Sequence, residues 1–222
     1  MSAMRARFSS ETAPEVISVF PLPGALLLPR GRLPLNIFEP RYLAMVDEAL
    51  KTDHRLIGMI QPRCNDNRDA EPALYDIGCA GRIVTFSETD DGRYLIALEG
   101  VSRFQVTDEL EGFQPFRRVQ ADWAPFRLDR KRPAKDDPDF DKESFLELVG
   151  AYFQARSLDT DWDALGKADE ETIVNALCMM CPFGAQEKQA LLEAEDLSAR
   201  REVLATLLRI DAAGDEPAGG VQ

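Results

Sequence analysis

Hydrophobic and polar positions follow two different periods along the chain, and the change between them falls a little past the middle. The first half carries short apolar runs cut by turn residues. "VISVFPL" (16–22) and "ALLLP" (25–29) are strand candidates interrupted by proline. "RLPLNIF" (32–38) alternates and puts Leu33, Leu35 and Ile37 on one face. Pro34 inside that run predicts an edge strand or a bulge, because proline cannot donate to a ladder. A helix follows, opened by Pro40 at its first position, with Leu43, Val46 and Leu50 on one face, Asp47 and Glu48 on the other, and an end near Thr52-Asp53. "RLIGMIQ" (55–61) predicts a strand, "RCNDNRDAEP" (63–72) a polar loop, and "LYDIGCAGRIVTFSE" (74–88) a strand bent at Gly78 and Gly81. "TDDGR" (89–93) is a hairpin turn. "YLIALEGVSRFQVTDEL" (94–110) predicts two strands broken at Glu99-Gly100, and "FRRVQADWAPF" (116–126) one more. Strands this short and close, with a single early helix, point to a barrel or sandwich.

Beyond about Leu128 the pattern becomes helical. Phe145, Leu148, Val149, Tyr152 and Phe153 form a stripe at three- and four-residue spacing. Asp169 is placed to cap a second helix with Glu170 and Glu171 in its first turn and Ile173, Leu177 and Met180 along its face. "GAQEKQALLEAED" predicts a third helix, and "SARREVLATLLRI" a fourth, capped by Ser198 with Val203, Leu204, Leu207 and Leu208 inward. The fold class expected is α+β: a β-rich unit over 16–127, a linker over 128–139 and a helical bundle over 140–210. A polar leader (1–15) and a disordered tail (211–222) flank them.

Charge narrows the range of partners. The net charge of the 222 residues is −13, which repels phosphate backbones, so nucleic acid is not an expected partner. The basic cluster "RLDRKRPAK" runs straight into "DDPDFDKE" and reads as a solvated linker. No apolar run approaches the ~20 residues of a membrane span, so a membrane is not expected either. The N-terminal "MSAMRARFSSETAPEV" has no apolar segment of a secretory signal, which makes the expected location cytoplasmic and its cysteines reduced.

Candidate chemistry is sparse. Cys178 and Cys181 form a CxxC, but at the end of an apolar helical run rather than at a helix start, so they read as small buried hydrophobes. Cys64 and Cys79 stand fifteen residues apart and supply no second close pair for zinc. The lone histidine, His54, sits at the predicted helix end, where the dipole favours a cation. No catalytic residue, metal or cofactor is expected. The stretch Glu39-Pro40-Arg41-Tyr42 invites two readings: a joint turning a strand into a helix, or a polar rim beside an apolar groove. In the joint reading Glu39 is the N-cap, Arg41 pairs with an acid, and Tyr42 buries its ring.

"VFPLPGALLLPRGRLPLNIFEPRYLAMVDEAL", "YDIGCAGRIV", "DGRYLIALEGVSRFQV" and "EKQALLEAED", in this order over about residues 16–210, resemble the N-terminal substrate-binding domain of Lon proteases. The resemblance implies a PUA-like β-barrel subdomain followed by a helical bundle, and a role in recognising protein substrates. The sequence departs from full Lon proteases in having no GxxxxGK[ST] loop for ATP and no length left for the Ser-Lys peptidase domain, so a non-enzymatic module is expected. Its expected partners are unfolded or apolar protein segments, passed on to a separate protease or chaperone. The binding candidates are Glu39, Arg41 and Tyr42, with Leu26 and Leu28, whose proline-cut run could leave apolar surface unpaired. The alternatives are a small-molecule binder or minor enzyme with a pocket between barrel and bundle, and, third, an RNA binder by analogy with PUA-like folds.

Overall fold

The computed structural model describes residues 13–63, 72–131, 137 and 140–213. The chain divides into two compact units, Met1–Arg132 and Pro133–Gln222.

The first unit contains β1 (Val16–Pro21), β2 (Arg32–Ile37), α1 (Pro40–Lys51), β3 (Leu56–Ile60), β4 (Ile77–Glu88), β5 (Tyr94–Leu110) and β6 (Arg118–Asp122). The strands lie in the order β2-β5-β4-β3-β1-β6, and β6 pairs again with β5. Five strands therefore close a ring, while β2 hangs outside it on the first half of β5; the sheet is not a clean barrel. The β1–β3 pairing is parallel and the others are antiparallel. The ring interior is filled by Ile17, Val19, Leu56, Ile60, Phe104, Val119 and Trp123. Gly58 and Gly78 make room for the Phe104 ring: a Cβ on either would lie 2.8 or 2.6 Å from it. The expected bulge in β4 falls between Ala80 and Gly81, with a second between Ile83 and Thr85. Gly92 turns the β4–β5 hairpin at φ +76°.

Several expectations need correction. The break at Glu99-Gly100 does not end a strand, for β5 is one 17-residue strand that changes partners there. Gly100 is needed because another segment of chain crosses it: its Cβ would stand 2.0 Å from the Leu28 carbonyl oxygen. Residues 25–29 form no strand. Leu26, Leu27 and Leu28 are buried, so Leu26 and Leu28 offer no open apolar surface. The buried face of α1 is Tyr42, Met45, Val46 and Ala49, with Leu43 and Leu50 half-buried beside it. The end of the expected leader is anchored, because Trp123 Nε1 donates to Pro14 O (2.9 Å) and Ala121 N to Glu15 O (2.8 Å). The expected linker is not solvated at its start, where Asp129 takes the guanidinium and the backbone N–H of buried Arg103 at 2.8–3.0 Å. A single 3₁₀ turn, Ala124–Phe126, leads into that segment.

The second unit holds α2 (Lys142–Ala155), α3 (Trp162–Lys167), α4 (Glu170–Met180), α5 (Ala185–Glu193) and α6 (Leu197–Ala213). Asp141, Asp161 and Asp169 accept backbone N–H bonds at the starts of α2, α3 and α4. Sequence periodicity missed α3, which is only 6 residues long. The start of α6 is capped by Asp196, which accepts from Ala199 N (2.9 Å); Ser198 lies inside the helix and instead receives Arg201. Leu204 and Leu208 are buried apolar residues of this helix, and Arg200 is buried with them. α6 continues through Ala213 into the expected tail, and the remainder of that tail, like most of the leader, lies outside the described residues. Met180 is exposed, while Val174 and Asn175 join Ile173 and Leu177 inside. Glu170 is not a surface helix-start acid but a fully buried one, bonded to Arg201 and to the backbone N–H of Asp137.

Candidate functional site

The stretch from Phe38 to Tyr42 joins the outlying strand to the one helix of the first unit. Glu39 occupies the N-cap position with extended backbone, yet its side chain makes no capping bond. It holds Arg41 instead, whose Nε donates to Glu39 Oε2 at 2.9 Å. Both side chains are nearly half exposed, so the pair contributes little, on the order of 0.5 kcal/mol. The Arg41 guanidinium also lies 4.6 Å from the centre of the Tyr42 ring. Tyr42 is buried and packs on Phe20 with ring centres 4.2 Å apart. Burial raises its hydroxyl pKa above the usual phenol value, against the opposing pull of Arg41. Pro40 and Tyr42 thus occupy the places a structural joint requires.

Apolar surface appears next to this joint. Phe38 is 62% exposed, Phe86 42% and Leu95 44%. Phe86 meets Tyr94 edge-on at 4.9 Å, and the Tyr94 hydroxyl donates to Asp47 on α1 (3.1 Å). Arg93 lies 5.9 Å from the Phe38 ring. The register places Leu35, Ile96 and Phe86 on one face of the β2–β5–β4 sheet, and Asn36, Leu95 and Ser87 on the other. Both faces near the open strand therefore carry exposed apolar groups. Phe38 was read only as the end of the alternating run 32–38, with no exposure assigned to it. The exposure of Phe86 and Leu95 was not legible either, because the face a strand residue presents depends on register.

Among the described residues no group of three or more His, Cys, Asp or Glu is arranged to hold a metal ion. Cys79, Cys178 and Cys181 are free and buried, and Cys64 lies outside the described residues. Burial pushes the Cys178 thiol up to about 12 and the Cys181 thiol to about 11, so neither offers a thiolate near neutrality. His54 is not a helix-end cation. Its Nδ1 accepts the Leu56 N–H (3.1 Å), which requires an unprotonated Nδ1, and burial lowers its pKa, helped by Arg82.

A groove of about 410 Å³ lies within the helical unit between α2 and α6, lined among others by Phe140, Phe145, Leu148, Arg201 and Arg209. Arg201 is committed there to Glu170 and Asp137. Among the described residues no helix is long and apolar enough to cross a membrane.

Comparison with known proteins agrees with this architecture. The chain is 26% identical over 212 residues to Lon protease 2 of Myxococcus xanthus, covering 90% of this chain and 24% of that protein. It is 27% identical over 200 residues to the Lon protease of Parabacteroides distasonis, covering 86% of this chain and 23% of that one. The chain thus spans about a quarter of the length of these relatives. Among solved structures, the Lon N-terminal domain protein from Xanthomonas campestris superposes with a TM-score of 0.58 at 23% identity, covering 86% of this chain and 97% of that one. The N-terminal domain of Mycobacterium avium complex Lon protease gives 0.62 at 17% identity, covering 91% and 100%. The profile of the ATP-dependent protease La (LON) substrate-binding domain matches residues 16–209, and the chain belongs to that family.

Proposed function

We propose that the chain is a non-catalytic module that recognises exposed apolar segments of protein substrates and hands them to a separate protease or chaperone. The family supplies the substrate-binding role. The observation that carries the apolar part is the group of exposed Phe38, Phe86 and Leu95 around the outlying strand. Phe86 and Leu95 lie on opposite faces of its sheet, so large apolar side chains stand in water on both sides of the strand, which marks an interaction edge. The Glu39–Arg41 pair forms a polar rim beside it, and Tyr42 holds the joint from below. The matched domain is the substrate-binding one, which supports a role without ATP hydrolysis or peptide cleavage for these residues.

The test is titration of the purified chain with reduced, carboxymethylated α-lactalbumin, a permanently unfolded protein. Binding is expected, with a loss of at least about fivefold in Phe38→Ser and Phe86→Ser, or roughly 1 kcal/mol each, and unchanged melting midpoints. Absence of binding, or binding indifferent to both substitutions, overturns the reading. ATP turnover above a buffer blank, abolished by a substitution in this chain, overturns the non-catalytic part.

A further inference from the structure

The outlying strand has an open side whose hydrogen-bonding groups can be assigned one by one. Arg32 stands opposite Glu99, so Gly31 stands opposite Gly100. The Gly100 N–H donates to the Gly31 carbonyl (2.9 Å) and the Arg30 N–H to the Gly100 carbonyl (2.7 Å). Gly31–Gly100 is therefore a hydrogen-bonded position, with an extra residue at Arg30. In an antiparallel ladder, bonded and non-bonded positions alternate. Leu33, Leu35 and Ile37 then turn their backbone groups toward β5, and Arg32, Pro34 and Asn36 turn theirs away. Pro34 agrees with this assignment, since its missing N–H falls on the side where no β5 bond is lost. On the outer side Arg32 and Asn36 each present an N–H and a C=O, and Pro34 a C=O, with no partner among the described residues.

A row of backbone donors and acceptors repeating every second residue matches one kind of group, another backbone in extended conformation. An added strand sends its side chains alternately to both faces. Apolar positions are available on both: Leu33 and Leu35 on one face, half-buried, Pro34 on the other, and Phe38 just past the strand end. A second copy of this chain is the poorer occupant. Pairing Pro34 against another Pro34 removes donors from both strands, and two chains of charge −13 repel. Pro34 also keeps the row short, which suits a contact that must release its client.

Resting on the recognition role above, we infer that β2 is a docking edge where an extended apolar segment of a protein substrate adds as a further strand, bonded to the outward backbone groups of Arg32, Pro34 and Asn36.

The test uses the full chain and a fluorescein-labelled peptide of about seven residues, Leu, Phe and Val alternating with Ser and Thr. A second peptide with the same side chains is N-methylated at residues on both strand edges, which removes strand pairing. The first is expected to bind, and the methylated one to bind at least about tenfold more weakly. Asn36→Pro, which removes an outward N–H and no bond to β5, is expected to weaken the first peptide about fivefold, with Asn36→Ala within about twofold of the parent chain. Should Asn36→Pro not fold, the peptide pair decides. Equal affinity for the two peptides overturns strand addition and leaves apolar recognition standing. So does unfolded α-lactalbumin binding without the first peptide binding. Failure of all three probes takes down both readings. A dimer in sedimentation that Asn36→Pro abolishes and the peptide does not displace assigns the edge to a second copy and overturns the proposal.

Discussion

Tyr42 and Glu39, three positions apart, divide the joint between packing and solvent. Tyr42→Ala removes a buried ring seated on Phe20 and is expected to cost about 3 kcal/mol in denaturant melts. Glu39→Ala removes only an exposed pair with Arg41 and no capping bond, so its cost should be about 0.5 kcal/mol, less than a cap normally contributes. If the two costs come out equal, the joint is wrongly described. His54 gives a second residue-scale expectation. Its folded pKa lies below the ordinary 6.5, so as pH falls through about 6.5 the unfolded chain takes up the proton first. Stability contributed by this residue is full above that point, falls as pH drops toward the folded pKa, and is flat below. Chemical denaturation of the parent chain and His54→Gln between pH 8 and pH 5 should differ by this slope, and parallel curves refute it. At this scale the sequence revealed residue types but not their partners. Of the two readings open to Tyr42, packing at the joint rested on the chemistry of its ring, which gains from burial whatever its neighbours are. The neutral state of His54 was not legible, because it depends on the Leu56 N–H and on Arg82 arriving from another strand.

At the scale of elements, period and punctuation located most strands and helices, while contacts between distant segments decided the rest. Pro34 announced an edge strand and Asp169 a helix start, because each acts through its own backbone neighbourhood. Gly100 misled, because a glycine between two apolar runs looks like a break. Its actual service is to let the Leu28–Gly31 segment cross β5. Gly100→Ala is therefore expected to destabilise on the order of 3 kcal/mol, since the obstacle is backbone and cannot rotate away. Gly166→Ala in α3, where nothing lies within 4 Å, should be neutral or stabilising by up to about 1 kcal/mol. Equal effects of the two substitutions in thermal melts contradict the crossing. Leu26 and Leu28, expected to offer apolar surface and found buried, were misplaced for a related reason. Hydrophobicity reports a tendency to be covered, and topology determines which residues are.

The whole molecule consists of two units with separate ionic anchors. In the first, Arg103 holds Asp129; in the second, Arg201 joins Glu170 and Asp137. The change from β to helical periodicity past Leu128 was plain in the sequence because each unit has its own period. The ring of strands was harder to see, because closure depends on the second half of β5 returning to β6. That closure leaves β2 outside the ring, with a free side among the described residues, and the consequence can be read in time rather than in space. In heavy water the amides of Leu33, Leu35 and Ile37, tied to β5, should trade hydrogen for deuterium slowly, while those of Arg32 and Asn36 trade at nearly the rate of an open chain. Successive residues of one strand would then keep two clocks, and resolving them by NMR checks the assignment. An apolar client laid along β2 should slow the fast clock at Arg32 and Asn36 and leave the slow one as it was.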